Sequence, residues 1–347
     1  MRAAQFDTFA GPIGVRSVPD PEPPRDGAVV RVHANGICRS DWHAWQGHDP
    51  NVRLPHVPGH ELAGEVVATG PDCPAFRAGD RVTVPFVMAC GSCPSCWSGQ
   101  QQICEHQRQP GFTQWGAFAE YVAVPNAASN LVRLPENLGY PAAASLGCRF
   151  TTAYRALIEQ GRLQTGEWVA VHACGGVGLS AVMIAVAAGA HVVAVDVNAA
   201  ALDRARALGA SASVNAATAA DVAEAVRDAS NGGAHVSLDA LGHTATCRNS
   251  IRGLRQQGRH VQVGLLTGEH AAPPLPMDEV IARELELRGS HGMAGHRFPT
   301  LFRLIETGRL DPAALISRHV SLAEGAERLM AMDRTPDAGI AVITSFG

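Results

Sequence analysis

WVAVHACGGVGLSAVMIAVAAGAHVVAVDV, residues 168–197, is the stretch on which the fold turns. Thirty largely apolar residues are long enough to cross a bilayer. His172, a glycine cluster and His191 interrupt this run, however, and its two halves differ in period. WVAVHA and HVVAVDV are short and rich in β-branched residues, whereas SAVMIAVAAGA between them has helical length and composition. A buried strand, a tight turn, a helix and a second strand therefore describe the segment better than a membrane helix.

The turn carries Ala173-x-Gly175-x-x-Gly178, and Asp196 ends the following strand. Small residues here permit a sharp turn and let the backbone approach a pyrophosphate at a helix N-terminus. Ala173 stands where the pattern has its first glycine, which costs little if φ there is negative. Asp196 is placed to accept hydrogen bonds from ribose hydroxyls, and its charge would repel a 2′-phosphate. The residues that follow, NAAA, contain no arginine to offset that charge, so NAD is expected over NADP.

Outward from this stretch the chain has two textures. Residues 1–150 show short alternating runs such as AVVRVHAN, AGEVVATG, DRVTVPF and AEYVAV between frequent turn signals, the mark of a mainly antiparallel, barrel-like β domain. From about residue 150, strands alternate with alanine-rich helices, which implies a doubly wound parallel sheet. A final helical segment, FPTLFRLIETG, and a strand, GIAVITS, could return to the first domain. The 347-residue length suits two domains. A net charge of −4 without a basic stripe points away from nucleic acid and from membrane surfaces.

Nine cysteines, an odd number, with no apolar leader at the N-terminus argue against a disulfide framework and for a cytoplasmic protein. Four of the nine lie in CGSCPSCWSGQQQIC, residues 90–104. The spacing of Cys90, Cys93, Cys96 and Cys104 lets four thiolates converge on one ion, a closed structural zinc shell, with an iron–sulfur centre as the other metal reading. CRSDWH (38–43), GHE (59–61) and Cys148 add scattered metal-binding types whose spacing alone does not define a site.

In this order CRSDWH, GHE, the cysteine quartet, Cys148 and the glycine motif resemble the zinc-dependent, medium-chain alcohol dehydrogenases of compact microbial type, over essentially the whole chain. The resemblance implies a GroES-like catalytic domain (1–149 and 291–347) and an NAD-binding Rossmann domain (150–290), with two zinc ions per chain. It makes Cys38, His60 and Cys148 ligands of a catalytic zinc, which leaves a corner open for an alcohol. Asp41 would orient His60, and Glu61 would stand beside the metal. Ser40 and His43 match a proton relay in which His43 titrates in a useful range. Arg39, Thr152, Gly175, Gly176, Val177, Gly178 and Asp196 match cofactor-contacting positions. Ala341 stands where relatives commonly have an arginine near the cofactor phosphates.

Phe86 corresponds to a substrate-pocket position. Trp42, Trp45 and Trp115 either line that pocket or pack the β domain, so an apolar or aromatic alcohol, primary or secondary, is expected. The small-molecule partners implied are alcohols, aldehydes and ketones. Polyol- or formaldehyde-type members of the superfamily are the enzymatic alternative. A non-catalytic zinc and dinucleotide-binding protein is the other, though such a relic should lose its catalytic residues first. Compact relatives are often tetramers, which implies a homotetramer, with a dimer second.

Overall fold

A strand of nine residues, Ala28–Gly36, organises the first part of the molecule. In the computed structural model, which describes residues 1–334 and 339–347, it pairs antiparallel with Glu61–Thr69, Tyr121–Val124 and Ile340–Ser345. Ala28, Val30, Val32 and Ala34 are buried on one face, while on the other Arg31 is exposed and His33 half-buried, the period-2 pattern of a strand with one partly polar face. Arg81–Thr83 and Val132–Arg133 extend the sheet beyond Glu61–Thr69. On the other side Ile316–Ser321 joins Ile340–Ser345 in parallel, one parallel pair in a sheet whose other pairs are antiparallel, in keeping with the mainly antiparallel expectation.

The register matters more than the strand count. Gly36 lies opposite Glu61, so the residue that leaves one strand, Cys38, and the residue that enters the next, His60, meet at one end of the sheet. The chain divides into two compact units, Met1–Thr151 with Gly292–Gly347, and Thr152–His291. Among the hydrophobic clusters of the first, one gathers around Phe6, Phe118 and Leu322 and another around Val30, Leu62 and Val84.

The second unit is a six-stranded, fully parallel sheet. Its spatial order is Ala212–Asn215, His191–Asp196, Trp168–His172, Ala234–Asp239, Leu254–Gln262, Glu286–Gly289. Numbered along the unit this is 3-2-1-4-5-6, the doubly wound Rossmann order. The helix Thr244–Arg252 stops at Gly253, and Leu254, buried and paired with Ala234, begins the next strand. Residues 168–197 form the strand–turn–helix–strand unit, with the helix running from Gly176 to Ala187. Among the described residues no helix is long and apolar enough to cross a membrane.

Candidate active site and metal centres

The thiols of Cys90, Cys93, Cys96 and Cys104 lie within 4.8 Å of one another. Three of the sulfur pairs stand 3.5, 3.8 and 4.0 Å apart. A disulfide would need about 2.05 Å, and all nine cysteines are free. Bonds of about 2.3 Å to one tetrahedral ion place sulfurs about 3.8 Å apart, which matches. A multi-iron cluster, whose thiolates bind separate irons, would spread them further. The Ser92 backbone N–H draws Cys90 down to about 6, while burial pushes Cys96 up to about 12. One divalent ion lets all four shed their protons.

The second cluster is assembled from three segments. Cys38 caps the helix Arg39–Trp45, His60 precedes its strand, and Cys148 sits on a π-helical turn, Leu146–Phe150, a geometry common at functional sites. Ligand atoms of Cys38, His60, Glu61 and Cys148 lie within 4.8 Å of each other. Asp41, fully buried, faces three ways. Its Oδ1 lies 2.7 Å from His60 Nδ1 and accepts from the Gly59 N–H at 3.0 Å, and its Oδ2 accepts from the Cys38 N–H at 3.1 Å. His60 is thereby fixed with Nε2 buried and without a partner among the described residues. An orphaned imidazole nitrogen beside two thiols fits a zinc ion.

The electrostatics agree. Hydrogen bonding from Cys148 and then the field of His60 and Arg149 hold the Cys38 thiol well below its usual range, against burial; Cys148 is pushed up by its Cys38 partner and by burial. Burial opposes a proton on His60, yet Asp41 and Cys38 outweigh it and raise its pKa. Burial also raises Glu61, with Arg149 opposing.

Arg149, to which the sequence reading gives no role, binds Glu61 through its side chain and its backbone N–H. A charged residue directly after a ligand cysteine, in an otherwise apolar segment, was the available signal. Phe112 was missed as well. Its ring centroid lies 5.3 Å from that of His60, and Phe86 lies at 6.1 Å on the same imidazole.

Ser40 is half-buried in the first turn of the helix that follows Cys38. His43 departs from expectation. Burial, then Arg39 and His48, lower it to about 4, well short of a titration near neutrality, and its Nδ1 lies 2.9 Å from His48 Nδ1. The Arg39 guanidinium stacks over Trp42 at 4.1 Å. Trp45 packs in the core with its indole N–H on the Gly11 carbonyl, and Trp115 packs against the same cluster with its N–H on the Pro55 carbonyl. Ala341 is buried in that cluster too.

In the second unit the glycine turn is tight. A Cβ on Gly178 would stand 1.8 Å from the Ala173 carbonyl oxygen, whereas one on Gly175 would project into open space. That opening is the kind of cradle a pyrophosphate needs. Gly176 and the half-buried Val177 begin the helix. Ala173 has φ +73°, so the condition on which its substitution would cost little is not met, and a left-handed alanine carries strain. Asp196 accepts from the backbone N–H groups of Cys174 (2.6 Å) and Asn198 (2.8 Å), which orients its carboxylate beside the turn. The buried Thr152 hydroxyl has no partner among the described residues.

Comparison with known proteins gives the same picture. Residues 24–136 match the alcohol dehydrogenase GroES-like domain family, and residues 176–307 match the zinc-binding dehydrogenase family. An alcohol dehydrogenase of Geobacillus stearothermophilus is 36% identical over 292 residues, 84% of each chain. An NAD-dependent alcohol dehydrogenase of Saccharolobus solfataricus is 31% identical over 341 residues, 95% of each chain. The solved structure of an alcohol dehydrogenase from Thermus sp. ATN1 superposes with a TM-score of 0.91 at 34% identity, covering 100% of both chains. With the parallel sheet, the cysteine quartet and the Cys–His–Cys cluster in place, these similarities show that the chain belongs to the zinc-dependent medium-chain alcohol dehydrogenase family.

Proposed function

We propose that Cys38, His60 and Cys148 hold the catalytic zinc of an NAD-linked alcohol dehydrogenase, and that the cysteine quartet holds a structural one. The observation that carries this is the convergence of the two thiols on the unpartnered Nε2 of His60. Bound there, zinc supplies Lewis-acid activation of an alcohol oxygen, and NAD supplies the hydride acceptor. The chain's own residues do the rest. Asp41 keeps the His60 proton on Nδ1 and Nε2 free. Ser40 Oγ and His43 form the path by which the hydroxyl proton leaves. Held near 4, His43 passes a proton on rather than storing it. Phe86 and Phe112, which flank His60, give an apolar wall suited to apolar or aromatic primary and secondary alcohols.

The Rossmann unit is the NAD-binding domain, with Gly175, Gly176, Val177 and Gly178 at the pyrophosphate, Asp196 at the adenosine ribose, and Arg39 and Thr152 as further cofactor contacts. Asp196 supports NAD over NADP, which a higher kcat/KM with NAD+ would bear out. A homotetramer, with a dimer second, is supported by exposed apolar side chains such as Ile281 (76% exposed) and Trp97 (77%), which a lone subunit would leave in water. Nine free cysteines support a reducing, cytoplasmic setting. Zinc stoichiometry followed by NAD+ reduction across primary, secondary and aromatic alcohols tests the reading. Two zinc ions per chain and alcohol-dependent NADH formation are expected. One zinc, or no turnover with any alcohol, would overturn it.

A further inference from the structure

Arg149 is a cation with 6% exposure inside the β unit, and such a charge persists only when it is paired and hydrogen-bonded. Its Nε and its backbone N–H each donate to Glu61 Oε1 at 2.9 Å, and Nη2 donates to Glu61 Oε2. Nη1 donates to the Ile37 carbonyl at 3.1 Å. Both oxygens of the fully buried Glu61 are thus occupied by one guanidinium. The site is cut to fit this pair, because a Cβ at position 36 would stand 2.3 Å from Glu61 Oε2 and 2.8 Å from Arg149 Nη2, and residue 36 is glycine. The partners are also placed to matter. Ile37 precedes Cys38, Glu61 follows His60, and Arg149 itself follows Cys148, so one side chain ties together the backbone beside all three ligands.

Glu61 is a carboxylate within 4.8 Å of the other three ligand atoms, and carboxylate oxygen is a competent zinc ligand. Left free, it would close the tetrahedron and exclude substrate. We infer that Arg149 is a positioning residue that holds the Glu61 carboxylate off the metal and so keeps the fourth coordination place open to the alcohol. The inference rests on Cys38, His60 and Cys148 being the protein ligands.

Cobalt(II) in place of zinc in the full chain provides the test, since its visible ligand-field bands move when an oxygen ligand is added. Comparing variants that leave the quartet untouched cancels that site's contribution. Glu61→Gln in the otherwise native chain should leave the bands unmoved. Arg149→Gln should move them and lower kcat/KM on the order of 10–100-fold, mainly through KM. Adding Glu61→Gln to Arg149→Gln should return the bands to the native position. Where Arg149→Gln does not fold, Arg149→Lys, whose ammonium cannot hold both oxygens in a fork, should show the same shift and the same reversal.

Bands that move on Glu61→Gln alone, or that stay put in the folded Arg149 variants with two cobalt ions bound, would overturn the clamp. One cobalt per chain would instead fail the ligand assignment, a separate result.

Discussion

At Ala173 the backbone adopts φ +73°, a conformation that costs an L-residue with a Cβ about 1–2 kcal/mol. Ala173→Gly should therefore raise stability by about 1 kcal/mol and Tm by roughly 2–4 °C, read by calorimetry. A lower Tm would mean that the alanine is not strained. Asp41 bears on the metal in a comparable single-residue way. One carboxylate accepts from the backbone N–H of Cys38 and holds the His60 ring, the residues on either side of the cluster. Asp41→Asn keeps the volume, but its amide cannot accept at every one of these bonds, and the charge behind the imidazole is lost. Zinc affinity at this site should fall about 10–100-fold in competition with a chelator, with the quartet's zinc retained. An unchanged affinity would remove Asp41 from the site.

At the scale of elements, the strand–turn–helix of residues 168–187 was legible because its period changes at the glycines, and a change of period is a local signal. The register of Ala28–Gly36 on Glu61–Thr69 was not. It depends on pairing between distant strands, yet it decides that Cys38 and His60 meet. From the residues alone these ligands were a scattered set, and family resemblance joined them. Arg149 and Phe112 stayed invisible because each acts through a partner far along the chain, Glu61 or His60. His43 was placed but misjudged, since burial, which sets its pKa, is not written in CRSDWH. The glycine turn makes its own prediction. Gly178→Ala would set a Cβ 1.8 Å from the Ala173 carbonyl oxygen and force the turn apart. NADH binding, followed by fluorescence titration, should weaken at least about tenfold, about 1.4 kcal/mol, while zinc content stays at the native level. Native affinity would place the cofactor elsewhere.

Across the whole molecule, two buried histidines of the parallel-sheet unit make stability depend on pH. Burial holds His172 to about 3 and His260 to about 4, against about 6.5 in an unfolded chain. As pH falls below about 6.5 the unfolded chain takes protons that the folded chain refuses, so stability is lost progressively down to about 4 for His260 and about 3 for His172. Tm should fall across that window, and it should fall less in His172→Gln. An equal slope in the two proteins would exclude His172 as a cause. The division of labour between the two metal centres is also a property of the whole molecule. The quartet is a closed set of four thiolates, and the open chemistry belongs to Cys38, His60 and Cys148. The direct measurement is zinc content, circular dichroism and alcohol-dependent NAD+ reduction on Cys38→Ala. The account predicts a folded protein with one zinc per chain and no turnover, whereas near-native turnover with one zinc per chain would contradict it.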